Sequence, residues 1–326
     1  MTPVSVLPKV HIGRSEKAQL PLGMGGSFYG LDHVHQQGEA DILAALETAL
    51  EVGITHFDTA TGYGDGYSER LLGGFLNAVP ERRERVFLAS KANLDDISAA
   101  AILAEIDGSR ARLQTDMIDL YYLHWPRTGQ DMRPWMEGLE TARQLGKIRT
   151  IGVSNFSVPQ MQALAEVGQI DAYQLGYNLL WRFAEADILP YCAQHGISVV
   201  VYSALAHGIL SGKYPRQLDF VPGDQRWGIT LFKPNVWPQV YAAMNDFKQV
   251  ADQAGVPLSQ LALRWLLRQP AVTSVLVSAK NRAQALTNYA ALTVDLPDSV
   301  LDQLTLLSDR VRQVIPDEGN PFGYHP

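Results

Sequence analysis

Cysteine is almost missing from this chain of 326 residues, in which Cys192 is the sole example. A single thiol excludes an intramolecular disulfide and any metal site built from several cysteines, and the sequence predicts no metal site. Long apolar runs are also missing: no stretch approaches the roughly 18 apolar residues that span a membrane, and no apolar run follows a basic start. We therefore expect no membrane partner and a location in the reducing cytoplasm.

Positive charge is not in excess, because 27 lysines and arginines stand against 34 aspartates and glutamates, for a net charge of −7. Proteins that bind nucleic acid carry a basic surface, so a nucleic-acid partner is disfavoured. No Ser/Gly/Pro-rich linker and no long run of like charge divides the chain. With 46% apolar residues, the sequence is long enough for one large core, and we expect a single domain over residues 1–326.

What the sequence does contain is a regular alternation of short apolar runs, rich in β-branched residues, with longer amphipathic segments. Nearly continuous apolar strands between helices indicate parallel strands that are covered by helices. Eight such units at this length favour an α/β fold of the (β/α)8 TIM-barrel type, with a doubly wound open sheet as the alternative. The predicted strands cover residues 21–26, 54–58, 86–92, 118–124, 148–155, 171–177, 197–205 and 273–280.

Some predicted elements lie outside the repeat. Residues 4–20 have the pattern of an N-terminal β-hairpin, and extra helices are expected after strand seven, at about 238–254 and 257–269, and near the C-terminus, at about 298–312. In the helix predicted before strand four, helical spacing places four residues on one buried stripe. They are Ile102, Ile106, Ser109 and Leu113.

Titratable side chains gather where predicted strands two, three and four end. Asp58, Lys91 and His124 occupy these ends, and Tyr63 follows Asp58 on a loop. Active sites of such barrels lie at the carboxyl ends of the strands, and neighbouring strands are about 4.8 Å apart, so the four groups can converge. Taken singly, each has a simpler explanation, such as a turn, a solvated lysine or a local hydrogen bond. Their coincidence on consecutive strands favours one catalytic pocket.

The chemistry of these four groups is proton transfer. A free tyrosine has a pKa near 10 and donates poorly at neutral pH, and an adjacent ammonium is expected to lower that pKa. Asp58 can keep Lys91 charged and oriented. His124, if neutral, can hydrogen-bond a carbonyl oxygen and orient it.

The glycine-rich stretch Gly62-Tyr63-Gly64-Asp65-Gly66 stands between a predicted strand and a predicted helix, as a dinucleotide fingerprint would. That fingerprint requires glycine at its first, third and sixth positions, and the sixth position here is Tyr67. We therefore interpret the glycines as points where the backbone turns tightly, so that Tyr63 faces the pocket. Ser68 is predicted to cap the following helix.

Over nearly its whole length the sequence resembles the aldo-keto reductase superfamily, in the bacterial NADP-dependent branch related to potassium-channel beta subunits. The resemblance rests on several motifs in order: FDTATGYGDGYSE, LASK, YYLHWP, GKIRTIGVSNF, YQLGYNLLWR and YSALAHGILSGKY. It implies a (β/α)8 barrel that binds NADP(H) without a Rossmann domain and transfers hydride between nicotinamide and a carbonyl. It also implies that Tyr63 is the proton donor, that Lys91 and Asp58 tune it, and that His124 orients the substrate.

By the same resemblance, separate groups of residues hold the cofactor. Ser154, Asn155 and Gln174 match the residues that hold the carboxamide, Tyr202 matches the aromatic that stacks on nicotinamide, and the loop after strand seven matches the pyrophosphate site. The stretch SAKNRAQALTN resembles the adenosine end, with Lys280, and Arg282 beside it, as candidates for a 2′-phosphate; this favours NADP over NAD. The other cofactor candidates are Gly25, Gly26, Ser203, Leu205, Gly208, Ser278, Gln284 and Asn288.

The loops around the pocket are rich in aromatic and polar residues, and Tyr29 and Trp125 are the foremost candidates to bind substrate. Such a rim suits sugars, polyols or aromatic aldehydes, although many of these aromatics can equally pin long loops. An NADP(H)-dependent carbonyl reductase is the leading hypothesis. The alternatives are an aldose or polyol dehydrogenase that works oxidatively and a cofactor-binding regulatory subunit. The further rim candidates are Phe28, Asp32, His33, Trp181, His207, Arg226, Trp227, Phe232, Asn235, Trp237 and Tyr324.

Overall fold

A computed structural model of the protein describes residues 7–29, 38–318, 320 and 322–324. Eight parallel strands form a closed barrel in sequence order, with β1 paired to both β2 and β8, which confirms the predicted (β/α)8 barrel and excludes the open sheet. The strands are β1 Leu22–Gly25, β2 His56–Asp58, β3 Phe87–Ala92, β4 Ile118–Leu123, β5 Ile148–Ser154, β6 Ala172–Gly176, β7 Ser198–Tyr202 and β8 Ser274–Val277.

Helices surround the barrel and bury one face against it. In α4 the buried positions are the four predicted ones, because residues three or four apart share a helical face. None of the helices in the described part of the chain is both long and apolar enough to cross a membrane. The α-helices are α1 Glu39–Glu51, α2 Tyr67–Asn77, α3 Glu81–Arg85, α4 Ala99–Leu113, α5 Arg133–Gln144, α6 Val158–Ala165, α7 Ile188–Gln194, α8 Trp237–Ala254, α9 Leu258–Leu267, α10 Arg282–Ala290 and α11 Asp298–Arg312.

The predicted helix cap at Ser68 is wrong. Helix α2 begins at Tyr67, one residue earlier, and the residue before it is Gly66, in a left-handed conformation with φ of 75°. The hydroxyl of Ser68 is buried and hydrogen-bonds Thr59 Oγ1 at 2.7 Å and the carbonyl of Gly26 at 3.1 Å. Tertiary partners on the strand ends thus use the hydroxyl that local sequence assigned to the helix terminus.

The amino ends of the strands are closed by the N-terminal segment. Val10 and Gln19 form an antiparallel pair, which is the described part of the predicted hairpin; residues 1–6 lie outside the described residues. Arg14 forms an ion pair with the buried Asp171 at 2.7 Å, and Lys17 forms one with the buried Asp119 at 3.0 Å. Because this end is sealed by the chain itself, the carboxyl end of the barrel is where a ligand can enter.

Candidate active site

The structure brings Asp58, Tyr63, Lys91 and His124 together at the carboxyl end of the barrel. Lys91 is fully buried and forms an ion pair with Asp58. Its ammonium also donates hydrogen bonds to the carbonyl of Thr59 at 2.8 Å and to the hydroxyl of Tyr63 at 3.3 Å. The ring of His124 lies 5.5 Å from the ring of Tyr63, nearly perpendicular to it. Neighbouring strand ends therefore converge as their spacing predicts.

The loop between β2 and α2 aims Tyr63 at Lys91. Gly64, Asp65 and Gly66 all adopt positive φ angles of 59°, 51° and 75°. The turn is closed by a hydrogen bond from the amide of Gly66 to the carbonyl of Thr61 at 2.8 Å. Glycine tolerates this conformation, whereas most residues do not, so Gly64 and Gly66 act as the predicted turning points, while Gly62 has no positive φ.

The Asp58–Lys91 pair is held in its charged form. Burial alone would lower the pKa of Lys91, but the adjacent Asp58 carboxylate and the Tyr63 hydroxyl outweigh it, so the pKa is raised. Burial raises the pKa of Asp58, although Lys91 and Gln174 act in the opposite direction. We assign the carboxylate form to Asp58, because its two oxygens accept hydrogen bonds from Lys91 and, at 2.9 Å, from the amide of Gln174.

The net pKa of Tyr63 differs from the sequence-based expectation. Burial raises it above the usual value, and the Lys91 ammonium lowers it only in part. The predicted influence of Lys91 is therefore present, but desolvation of the phenolate is stronger. Burial and the charge of Lys91 hold the pKa of His124 well below its usual range, so the imidazole is neutral at pH 7, as predicted.

Amide side chains at the ends of β5 and β6 extend this network. Asn155 donates hydrogen bonds through Nδ2 to the carbonyl of His124 at 3.1 Å and to the hydroxyl of Ser154 at 3.0 Å. Its Oδ1 accepts a hydrogen bond from the hydroxyl of Tyr202 at 2.7 Å. Gln174, assigned from the resemblance to the carboxamide, donates its side-chain amide to Asp58, and its contact with a carboxamide stays a prediction. The spacing of motifs in the sequence contains no signal for this contact between β2 and β6.

The loop after β7 is held in an unusual backbone conformation. Ser203, Ala206 and His207 have φ angles of 52°, 47° and 53°, in the left-handed region that residues with a side chain rarely adopt. The hydroxyl of Ser203 hydrogen-bonds Nε2 of His207 at 3.1 Å, and its carbonyl accepts from Asn178 at 3.0 Å. Such strain costs energy and is concentrated at ligand-binding loops, which makes this loop a candidate ligand-binding loop.

Three cations gather beyond this loop: Lys213, Arg226 and Lys280. Burial and the charges of Lys213 and Arg226 lower the pKa of Lys280, and burial and Arg226 lower that of Lys213. Burial is the larger cause for both lysines, and Arg226 is itself paired with the buried carboxylate of Asp224, so the two lysines are the charges that an anion would stabilise. Arg282, named from sequence beside Lys280, forms an ion pair with Glu51 at 3.1 Å. Lys213 was not among the residues named from sequence, although it lies within the motif YSALAHGILSGKY.

Comparison with known proteins decides the family. A model described as the aldo/keto reductase family matches residues 21–309. The chain belongs to the aldo/keto reductase family.

Relatives of this aldo/keto reductase cover nearly all of it. The NADH-specific methylglyoxal reductase of Escherichia coli is 29% identical over 317 residues, 90% of this chain and 96% of that protein. A solved glycerol dehydrogenase of Gluconobacter oxydans has a TM-score of 0.82 and 29% identity, covering 95% of this chain and 96% of the other. An aldo/keto reductase of Klebsiella pneumoniae, solved with NADP and acetate, has a TM-score of 0.74 and 31% identity, covering 93% and 96%.

In this aldo/keto reductase the remaining cofactor candidates shape backbone around the barrel mouth. The hydroxyl of Ser278 donates to the carbonyl of Gly25 at 2.7 Å, which ties β8 to β1. A β-carbon at Gly26 would lie 2.8 Å from the hydroxyl of Ser68, so this position has no room for a side chain. Gln284, through Oε1, accepts the amide of Lys280 at 2.9 Å, and so fixes the turn before α10. Asn288 donates to the carbonyl of Ser278 at 3.3 Å.

The rim of the barrel mouth contains an aromatic wall, which we define as Trp125, Phe322 and Tyr324. The ring of Trp125 lies 6.1 Å from His124, 6.0 Å from Phe322 and 5.6 Å from Tyr324. Phe322 also lies 6.3 Å from the ring of Tyr202, with the two planes 27° apart. The C-terminal tail therefore reaches the barrel mouth beside His124 and Trp125, and contact of Trp125 with a substrate stays a prediction.

Other aromatic residues named from sequence pin loops. Phe232 and Trp237 are buried and stack at 5.6 Å, and the indole of Trp237 donates to the carbonyl of Arg216 at 2.8 Å. Trp181 is buried in the main core, and Tyr29 is buried against Gly26. The simpler explanation thus holds for Trp181, Phe232 and Trp237. Asp32 and His33 lie outside the described residues.

Proposed function

We propose that this protein is an NADP(H)-dependent oxidoreductase that interconverts an aldehyde or ketone and the corresponding alcohol, with Tyr63 as the residue that exchanges the proton. One observation carries the proposal. The hydroxyl of Tyr63 lies 3.3 Å from the ammonium of Lys91, which is paired with Asp58 behind it. A phenol, a buried ammonium and a neutral imidazole in contact are suited to protonating a carbonyl oxygen.

The residues of the barrel mouth fit a nicotinamide dinucleotide. Polar side chains at the ends of β5 and β6 lie beside the proton donor, the strained loop after β7 follows, and the three cations lie beyond it. A site that runs from neutral polar groups to cations matches a ligand with an amide at one end and phosphates at the other. When bound, the nicotinamide supplies or accepts the hydride.

The chain's own residues account for the proton. In the reductive direction, Tyr63 donates its hydroxyl proton to the carbonyl oxygen as negative charge develops there. The ammonium of Lys91 stabilises the phenolate that remains, and Asp58 keeps that ammonium charged and oriented. His124, being neutral, donates a hydrogen bond that orients the oxygen.

A preference for NADP is supported by the three cations and by the relative solved with NADP, whereas another relative is named as NADH-specific. We expect Lys280→Met to weaken NADPH binding by about 10- to 100-fold, because a charge-assisted hydrogen bond contributes about 1.5–3 kcal/mol. The binding of NADH, which lacks the 2′-phosphate, should weaken by less than about threefold by the same reasoning. Fluorescence titration of both cofactors in phosphate-free buffer measures the two dissociation constants.

Arg282→Met is the matched control, since Arg282 pairs with Glu51 and neighbours Lys280 in sequence. It should leave both dissociation constants nearly unchanged. An equal loss for NADPH and NADH in Lys280→Met would mean that the cluster binds the shared pyrophosphate, and would contradict the assignment to a 2′-phosphate.

The aromatic wall above His124 supports a substrate with an apolar face and polar edges, such as a sugar-like carbonyl or an aromatic aldehyde. A polyol is the alternative substrate, with oxidation as the working direction, and the name of the Gluconobacter relative favours it. Screening aldehydes, ketones and sugars for NADPH consumption, and alcohols and polyols for NADP reduction, tests both. Absence of turnover in either direction, together with a stable membrane partner, would instead favour a regulatory subunit.

A further inference from the structure

The helix layer behind the active site contains a polar chain, buried at Ser90 and Glu69 and partly buried at its other members, which we name the support chain: Ser90, Glu69, Arg112 and Thr61. Side chains alternate along β3, so Lys91 points into the barrel and its neighbour Ser90 points towards the helices. The hydroxyl of Ser90 donates to Oε1 of Glu69, on α2, at 2.5 Å. The side chain of Glu69 is fully buried. This contact fastens the strand segment that carries Lys91 to α2.

Arg112, on α4, connects Glu69 to the loop that carries Tyr63. Its Nε donates to Oε2 of Glu69 at 2.5 Å, and its Nη2 donates to the hydroxyl of Thr61 at 3.3 Å and to that of Ser109 at 3.3 Å. Thr61 stands two residues before Tyr63. The guanidinium of Arg112 therefore contacts Glu69 on α2, which binds Ser90, and also contacts the loop that carries Tyr63.

The loop also packs directly on Arg112. A β-carbon at Gly66 would lie 2.8 Å from Cδ of Arg112, so the close approach depends on glycine at this position. The amide of Gly66 closes the turn on the carbonyl of Thr61, and the amide of Thr61 donates to the carbonyl of Lys91 at 3.1 Å. Both ends of the loop thus rest on the support chain and on β3.

The ion pair between Glu69, which is fully buried, and Arg112, whose side chain is 25% exposed, is a poor source of net stability, because the cost of removing charge from water offsets the attraction. Its geometry, in contrast, is directional, since a guanidinium and a carboxylate meet at fixed angles. One end of the support chain adjoins Lys91 and the other adjoins Tyr63, and misplacing a reacting group by about 1 Å can cost about 100-fold in rate.

We propose that Glu69 and Arg112 are positioning residues, which set the distance between the Tyr63 hydroxyl and the Lys91 ammonium through Thr61 and Ser90. The proposal rests on the proposed function, since it assigns the residues that support the proton donor. Glu69 and Arg112 act through their neighbours and have no contact with the reacting atoms in this assignment.

Thr61→Val and Ser90→Ala break the support chain at its two ends without removing a charge. We expect each to lower kcat by about tenfold, by the same reasoning on misplacement, with KM and the dissociation constant of NADPH within twofold of the parent protein. Thr61→Ser, which keeps the hydroxyl, should restore kcat. Arg110→Lys on the same helix is the matched control, because Arg110 pairs with the exposed Asp107 at 2.8 Å.

The double variant distinguishes a connected chain from two separate contacts. If the chain acts as a unit, Thr61→Val with Ser90→Ala should lose little more than either change alone, about tenfold instead of about 100-fold. If the losses in kcat of the two single variants multiply, to about 100-fold in the double variant, the proposal is overturned. So would a fall in melting temperature with unchanged kcat, since that outcome describes a structural contact.

A measurement that needs no turnover separates this proposal from the proposed function. The carbon resonances of labelled tyrosine, with that of Tyr63 assigned by its loss in Tyr63→Phe, report the pKa of this phenol. We expect Arg112→Lys and Thr61→Val to raise that pKa, because the hydroxyl moves away from the Lys91 ammonium that lowers it. An unchanged pKa in both variants overturns the positioning role whether or not a carbonyl substrate is found. An inactive parent protein with shifted pKa values in the variants overturns only the proposed function.

Discussion

Tyr63→Phe should reduce carbonyl turnover by about 1,000-fold, within the range attributed to a general acid. The change removes one hydroxyl and keeps the ring, so the 5.5 Å contact with His124 and the packing of the loop persist. Because the hydroxyl of Tyr63 hydrogen-bonds only the ammonium of Lys91 within the described part of the chain, folding and NADPH binding should be nearly unaffected. Steady-state rates in both directions, with fluorescence titration of NADPH, measure the two effects.

Tyr67→Phe is the matched control for this substitution. Tyr67 lies on the same stretch, but its hydroxyl donates to Glu39 at 2.7 Å, away from the barrel mouth. It should keep kcat within about twofold of the parent, as is usual for a substitution outside the functional contacts. Turnover in Tyr63→Phe equal to that of Tyr67→Phe would remove Tyr63 from the reaction.

Lys91→Met should lower both directions of the reaction, and oxidation more than reduction. Oxidation requires the phenolate of Tyr63 to accept a proton, and the Lys91 ammonium lowers the pKa of that phenol against the effect of burial. Removing the charge raises the pKa further, and each unit leaves about tenfold less phenolate at a pH below it. Reduction starts from the protonated phenol, which is already the main form of Tyr63. The substitution affects reduction only by making this phenol a weaker acid. We expect kcat to fall by about 100-fold for reduction and by a larger factor for oxidation.

The pH dependence of the two rates in Lys91→Met tests this explanation. The excess loss in oxidation should shrink as pH rises, because phenolate then forms without help from Lys91. A loss that is equal in both directions at every pH would show that Lys91 does not act through Tyr63. Since Lys91→Met leaves Asp58 buried without its cation, Asp58→Asn with Lys91→Met is the companion variant, in which both charges are removed. Lys147→Met, which breaks a surface pair with Asp107, is the control.

The barrel and the four central residues could be predicted because their signals are local. Runs such as VFLASKA alternate with helical segments, and the stripe Ile102, Ile106, Ser109 and Leu113 follows the pitch of one helix. Once the strands are parallel and in sequence order, their carboxyl ends must meet at one mouth. The convergence of Asp58, Lys91 and His124 then follows from their places at the strand ends. Their chemical roles stay predictions until the variants are measured.

The local pattern did not reveal contacts between side chains from distant elements. It assigned Ser68 to a helix cap, whereas the hydroxyl is taken by Gly26 and Thr59. It also gave no sign that the side-chain amide of Gln174 donates to Asp58 from across the barrel. A side chain's partner depends on which donors and acceptors packing brings within about 3 Å, and sequence spacing carries that information only within one element.

The pKa of Tyr63 shows the same division between sequence and tertiary structure. The alternation of strands and helices was sufficient to place a tyrosine beside a lysine and a carboxylate, and so to name the reacting groups. Whether the phenol is more or less acidic than usual depends on burial against Lys91, and burial exists only in the folded barrel. The grouping of Lys213 with Arg226 and Lys280, and the support chain from Ser90 to Thr61, likewise arise only when separate segments pack together, because electrostatic and hydrogen-bond energies depend on distances through space.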